Sequence, residues 1–373
     1  MLTLHSFDGL TGRHVTRLPF TACSWQDTIN EDGTMSATLP NDPVLARIDL
    51  AVALRDYGSI IALTDGQRIL HAGWLTHHKP DEQDTGWQLD IAGGWKILSK
   101  RPVLRKAILD KWQDGEVLID EDNPPGDWVL KLAGTYRDIA RGLVSNALDL
   151  GTLPYRLPDI QGGKAHELAY NGWELAMTDE RLGDLTDRQD GPEIRFDPKL
   201  EGDHLYFALT VGDREIIDHK WQWNAQVPAS GVTLSGYDAD GEDAATCVIG
   251  VGGKTEDKTL MAMSRGNQLT KLGWPALYET DTTHSTVSDL KTLKSYVDAM
   301  LDMGDQPQHT IGVKCRRTHD VHIGDWIDLR LPSASIARRQ LGVDVAKLKV
   351  TDISGNAGED MLALQCRIRG EQA

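Results

Sequence analysis

Cysteine is scarce and scattered in this chain of 373 residues. Its four cysteines, Cys23, Cys247, Cys315 and Cys366, form no CxxC pair, which argues against a zinc finger or a dense disulfide framework and leaves reduced, buried thiols as the expectation. Long apolar runs are missing too. No stretch approaches the ~18 uninterrupted apolar residues that span a bilayer, and the opening MLTLHSFDGLTGRHV lacks a basic start followed by an apolar run. Neither a membrane anchor nor a secretion signal is expected. Basic charge is in deficit, with 39 Lys and Arg against 56 Asp and Glu and a net charge of −17. That balance opposes binding to phosphate backbones, so no direct nucleic-acid specificity is expected, and it favours solubility before assembly.

Catalytic signatures are also missing. There is no GxSxG, no HExxH and no cysteine with a recognisable histidine partner. With 56 acidic residues, a carboxylate pair means nothing without a pocket around it. The sequence therefore assigns no catalytic residue, no cofactor-binding residue, no cofactor and no metal ligand, and no enzymatic activity is expected.

Phenylalanine is rare, with four against eleven tryptophans, and several tryptophans lie in alternating strand-like contexts: Trp74, Trp87, Trp221, Trp223 and Trp326. Large half-buried rings suit sheet packing and subunit interfaces. At 40% hydrophobic and 25% charged, the chain has the balance of a soluble globular protein, and its length suggests two to four domains.

From Leu2 to about Ile91 short strands alternate with turns. Period-two alternation is read in Ile60 to Leu63 and Gln88 to Ile91, and NEDG, DYG and TDG carry the residues that tight connections need. This reads as an antiparallel barrel, because no helix of crossover length separates the strands. The pattern changes at GGWKILSKRPV. An amphipathic helix is expected from about Ala133 to Leu150, with Ile139, Leu143, Val144, Ala147 and Leu148 at helical spacing and Gly151 as the stop. A second helix is expected in NGWELAMTDERLGDLTDRQDG, with Leu175, Leu182 and Leu185 on one side. PEIRFDP and HLYFALTVG return to strands.

A third helix is expected in STVSDLKTLKSYVDAMLDMG, with Val287, Leu290, Leu293, Val297, Met300 and Leu301 in period and Ser285 or Thr286 as cap. From His309 onward the chain is strands again. GDWIDLRL followed by KLKVTDIS resembles GSIIALTD followed by ILHAGWLT, which suggests a duplicated barrel.

Three local motifs fall short of chemistry. CVIGVGGKT would need glycine where Val248 stands to be a phosphate-cradling loop, and is read as a flexible turn. DADGED places Gly241 too early for a calcium loop and is read as an acidic turn. His319, Asp320 and His322, and the pair His77 and His78, are conceivable ligands. On a strand, however, positions three apart face opposite sides, so His319 and His322 are not expected to share an ion.

In their order and spacing, four segments resemble the siphophage minor tail proteins of the tail-hub (baseplate hub-like) family. They are SWQDTINEDGTMSATLP with the strand pair ending in LHAGWLT; DIAGGWKILSKRPV, where Gly94, Leu98 and Arg101 hold the family's usual Gly, Leu and Arg; WELAMTDERLGDLTDR with GPEIRFDPKL; and GDWIDLRLP with its following strands. The expected fold is α+β and β-rich, with two antiparallel β-barrel domains and α/β insertion domains. The expected boundaries are an N-terminal barrel over 1–101, an α/β insertion over 102–200, a second barrel over 201–245 and 308–373, and a helical or mixed insertion over 246–307.

The resemblance implies a structural tail-tip hub of a long-tailed bacteriophage: a homotrimer whose ring adapts the sixfold tail tube to threefold tip components and closes the tube before DNA ejection. It implies as partners further copies of the chain, the distal tail protein ring, the tape-measure protein and downstream tip or fibre proteins. The location implied is the virion tail tip, after synthesis and assembly in the host bacterial cytoplasm. The short polar end MLALQCRIRGEQA carries no appended peptidase or fibre pattern. The alternatives are a tail-associated cell-wall glycan hydrolase and a carbohydrate-binding tip module.

Overall fold

The computed structural model describes residues 1–80, 86–111, 119–122, 124–163, 166–255 and 258–368; the last residues of the polar C-terminal stretch lie outside them. It is a β-rich α+β structure with large antiparallel sheets, and among the described residues no sheet closes into a barrel. The chain forms two compact units. The first comprises Met1–Leu185, Pro192–Ile216 and Asp352–Leu362, and the second Thr186–Gly191, Ile217–Thr351 and Ala363–Ala373.

In the first unit the strands Ala22–Thr28, Thr34–Pro40, Gly86–Ala92, Arg68–Pro80, Ser59–Asp65, Leu2–Asp8 and His14–Leu18 pair in that order, every pair antiparallel. The alternation read in Ile60 to Leu63 does not hold, because Ile60, Ile61, Ala62 and Leu63 are all fully buried. A strand covered on both faces shows a continuous apolar run instead of alternation.

One of those covers comes from the segment that follows the sheet strands in the same unit. Helices Tyr136–Asp149 and Thr178–Thr186 and the strands Ile194–Glu201, His204–Val211 and Tyr155–Arg156 share one apolar cluster with Phe7, Ile60, Ala62, Ala72 and Trp74 of the sheet. The first helix begins where its chemistry dictates. Thr135 accepts from the Asp138 backbone N–H while the Asp138 carboxylate accepts from the Thr135 backbone N–H, a reciprocal cap. Ile139, Leu143, Val144 and Ala147 are buried and Leu148 is partly buried, as the apolar stripe requires. The second helix starts later than its sequence suggests. Leu175 is exposed with a left-handed φ of 52° closing a short 3-10 turn, so only Leu182 and Leu185 lie on the helix and are buried.

The junction GGWKILSKRPV ties these layers together. A Cβ on Gly94 would stand 2.7 Å from Phe196 Cβ and 3.0 Å from Phe207, so glycine is what lets the backbone approach the aromatic pair. Leu98 is fully buried. Arg101 donates to the carbonyls of Ala147 (3.3 Å) and Gly151 (3.2 Å) at the C-terminal end of helix Tyr136–Asp149, where a cation complements both the unpaired carbonyls and the helix dipole. Its own carbonyl accepts from the backbone N–H and hydroxyl of Thr178, at 2.9 Å each. One residue thus pins the end of one helix and the start of the next.

The second unit contains the strands Lys220–Asn224 and Trp326–Arg330, which pair in parallel, and Trp326–Arg330 pairs antiparallel with Val345–Asn356. Val232–Asp240 pairs antiparallel with Gln308–Arg316. A separate three-stranded sheet, Lys258–Arg265, Cys247–Thr255 and Tyr278–Asp281, carries helix Leu290–Gly304 on one face, with Val248, Ala262, Leu293, Val297 and Leu301 as its core. That helix is capped by Asp289, which accepts from the Thr292 N–H at 2.7 Å, rather than by Ser285 or Thr286.

CVIGVGGKT is not a flexible turn. It forms the strand Cys247–Thr255, glycine-rich because the helix lies close: a Cβ on Gly250 would meet Val297 at 2.5 Å, and one on Gly252 the Val287 carbonyl at 2.6 Å. DADGED follows the expected turn, Asp240 accepting from the Glu242 N–H at 2.9 Å. All four cysteines are free and buried.

The Arg101 contacts give a direct expectation. Arg101→Ala removes a charged donor from two helix-end carbonyls and should lower the stability of the first unit by about 2 kcal/mol, with Arg101→Lys recovering only part of the loss. Urea denaturation followed by circular dichroism reads the difference; an Arg101→Ala protein as stable as the parent would refute this role.

Candidate functional site

Two polar clusters stand out, one in each unit. In the first, His71 on strand Arg68–Pro80 is buried and its Nδ1 lies 2.9 Å from Asp27 Oδ1. Gly33 makes this approach feasible, since a Cβ there would sit 2.2 Å from that carboxylate oxygen and 2.9 Å from His71 Cε1. Asp32 lies alongside, its carboxylate accepting from the backbone N–H groups of Trp95 and Lys96. Burial pushes Asp32 up to about 6, against the opposing pull of Lys96, His71 and those two hydrogen bonds. Nearby, Trp74 Nε1–H donates to the Tyr155 hydroxyl at 3.2 Å, and that hydroxyl donates to the Gly94 carbonyl. Burial raises Tyr155 well above the usual phenol range. Through Asp32 and Tyr155 these groups tie the sheet to the segment that leads into the 3-10 turn Lys96–Lys100.

The second cluster is built on the parallel strand pair. Residues that lead into two parallel strands emerge side by side. His219 precedes Lys220–Asn224, and the segment Val321–Asp325 precedes Trp326–Arg330. Asp325 is fully buried, and its carboxylate accepts from three N–H donors: His219 backbone (3.1 Å) and Trp221 Nε1 (2.8 Å) from one strand, His322 backbone (2.9 Å) from its own loop. The His219 and His322 rings stack with centroids 5.6 Å apart, and His219 Nδ1 lies 3.4 Å from Asp325 Oδ1. One ligand atom from each of His219, His322 and Asp325 falls within 4.8 Å of the others. Beside them, His319 packs against Trp223 and Trp221 at 5.4 and 6.4 Å.

The histidines considered from sequence sort differently from expectation. His319 and His322 lie in a loop rather than on a strand, so strand alternation does not govern them. His319 joins the tryptophans, and His322 joins His219. Asp320 Oδ1 is 3.8 Å from His322 Nε2. His78 pairs with Asp56 at 2.8 Å and His77 is exposed apart from it. Sequence reading passed over His219 and Asp325. A signal was present, in that HKW and HIGDW each set a histidine ahead of a tryptophan-bearing strand, but only the parallel pairing brings the two segments together.

No family model and no curated protein matches the chain. Solved structures do. The prophage MuSo2 43 kDa tail protein from Shewanella oneidensis matches at a TM-score of 0.56 and 9% identity, covering 98% of each chain. The prophage tail protein gp18 from Listeria monocytogenes EGD-e matches at 0.54 and 9%, covering 99% of this chain and 95% of that one. The tail protein from Neisseria meningitidis MC58 matches at 0.51 and 12%, covering 100% and 98%. At these identities the likeness is one of fold, and it extends over the whole chain: the protein has the fold of phage tail proteins, as its sequence resemblance led us to expect. Among the described residues no helix is long and apolar enough to cross a membrane.

The Asp32 environment sets a pH dependence. Its folded-state pKa is raised from 3.8 to about 6, so the stability it contributes is full below about 4 and is lost as pH rises through 6, a change of roughly 3 kcal/mol at most. Asp32→Asn should therefore gain about 2 kcal/mol relative to the parent at pH 7.5 and little at pH 4. Urea midpoints across that range check it; a parallel pair of curves would rule it out.

Proposed function

We propose that this chain is a structural tail-tip (baseplate) hub protein of a long-tailed bacteriophage, forming a trimeric ring that adapts the sixfold tail tube to threefold tip components and closes the tube before DNA ejection. The single observation that carries the reading is the match of fold over nearly the full length of three tail proteins.

A duplicated wedge, as the sequence suggests, would supply the symmetry. Ser59–Asp65 with Arg68–Pro80, and Trp326–Arg330 with Val345–Asn356, are both antiparallel pairs, and they are the segments whose sequences resemble one another. Two similar wedges per chain and three chains give six quasi-equivalent positions. On this reading 1–101 and 201–245 with 308–373 are the two wedges, built as open antiparallel sheets rather than closed barrels, and 102–200 and 246–307 are insertions between them. The partners are two further copies of the chain, the distal tail protein ring above, the tape-measure protein inside and tip or fibre proteins below, on the virion tail of a siphovirus. The net charge of −17 suits a tube component that DNA passes without binding. The role is non-enzymatic, without cofactor.

Mass photometry and negative-stain imaging of the purified chain test this. The expected result is a species of three times the 41.2 kDa chain, seen as a ring that binds distal tail protein and does not clear a host cell-wall zymogram. A strict monomer with no ring and no affinity for tail components would overturn it. Clearing abolished by a single Asp or Glu substitution would favour the hydrolase reading instead.

A further inference from the structure

We propose that His219, His322 and Asp325 form a binding site for a divalent transition-metal ion of the zinc class. The distances fit. A tetrahedral ion with bonds of about 2.1 Å sets its ligand atoms roughly 3.4 Å apart, and His219 Nδ1 lies 3.4 Å from Asp325 Oδ1. That separation is long for a direct charged hydrogen bond and right for two ligands of one ion. Two imidazoles on the same ion place their ring centres about 5 Å apart by the same geometry; those of His219 and His322 are 5.6 Å apart. The widest spacing among the three ligand atoms is 4.8 Å at most, so a half-exposed imidazole need swing in by only about 1 Å.

The site is also preorganised. Asp325 is fully buried and fixed by three N–H donors, two of which are the backbone groups of His219 and His322 themselves. Both histidines are therefore held through their main chains to the carboxylate that would be the third ligand, and only their side chains adjust. Three donors leave Asp325 Oδ1 acceptor capacity on the side of His219 Nδ1. Both rings reach solvent, His219 with 52% and His322 with 38% of its side chain exposed, so an ion has a path in. Two imidazoles and one carboxylate suit zinc, cobalt or nickel and reject magnesium and calcium, which take oxygen ligands. The fourth position is left to water.

The competing account is a pair of surface histidines beside a structural aspartate. Untagged full-length protein, stripped with chelator, separates the two when titrated with zinc chloride by calorimetry and with cobalt(II) by visible absorption. One ion per chain is expected, with tetrahedral cobalt bands. Binding should weaken at least about tenfold in His219→Ala and in His322→Ala, persist in the control His78→Ala, and resist excess magnesium and calcium. Circular dichroism of each variant establishes that it folds, and His219→Gln supplies a second exposed substitution. No saturable uptake, or uptake unchanged in both histidine variants, would overturn the site.

Discussion

The first unit depends on covering one face of an antiparallel sheet, and the residue that makes the demand most acute is Trp74. Its ring is 1% exposed and its indole N–H must still find an acceptor in an apolar core. The acceptor is Tyr155, which comes from the covering layer and passes the obligation to the Gly94 carbonyl through its own hydroxyl. Sheet, covering layer and junction are thus joined by one short relay of donors. The consequence reaches further than three residues. Gly94 must lack a side chain for Phe196 and Phe207 to pack over it, and Arg101, a few residues on, fixes both helices that complete the cover. An open sheet with a bare apolar face would be an association site, so the helices and strands that cover it are part of the core rather than an ornament on it.

How much of this was legible follows from where the information sits. The helix Tyr136–Asp149 could be read because its stripe, its cap and its stop all lie within the segment. Local determinants are visible locally. The start of helix Thr178–Thr186 was misplaced because Leu175 has helical spacing, yet the backbone turns left-handed there. Asp289 rather than Ser285 or Thr286 caps helix Leu290–Gly304, since all three are competent and the packing of Leu293 and Val297 on the strand beneath settles the register. The same helix explains why CVIGVGGKT deceives. Glycines that look like loop punctuation are there to admit Val297 and Leu293, a contact between segments distant in sequence.

Alternation failed at Ile60 to Leu63 for a related reason. Period two reports a sheet with one wet face, and this strand has none. The presence of a strand was readable, but its double burial depended on a helix layer supplied much later in the chain. The coarse class, β-rich with helices, survived these local errors because it rests on many segments at once, whereas the closed barrels did not.

The second unit makes the same point for the polar cluster. A hairpin brings together residues that are near in sequence, and its consequences can be guessed from the turn. A parallel pair aligns the beginnings of strands far apart in the chain, so His219 and Asp325 meet only because Lys220–Asn224 and Trp326–Arg330 run the same way. Once they meet, physical necessity narrows the outcome. A carboxylate as buried as Asp325 is costly unless its oxygens are satisfied, and the cheapest donors at hand are the N–H groups of the residues entering the two strands and the indole of Trp221. Those bonds fix the main chains of His219 and His322 beside the carboxylate, which turns a requirement of folding into a convergence of two imidazoles on one oxygen. The arrangement thus follows from how the entry to these two strands satisfies the buried Asp325, and its main-chain geometry would persist whether or not an ion is bound.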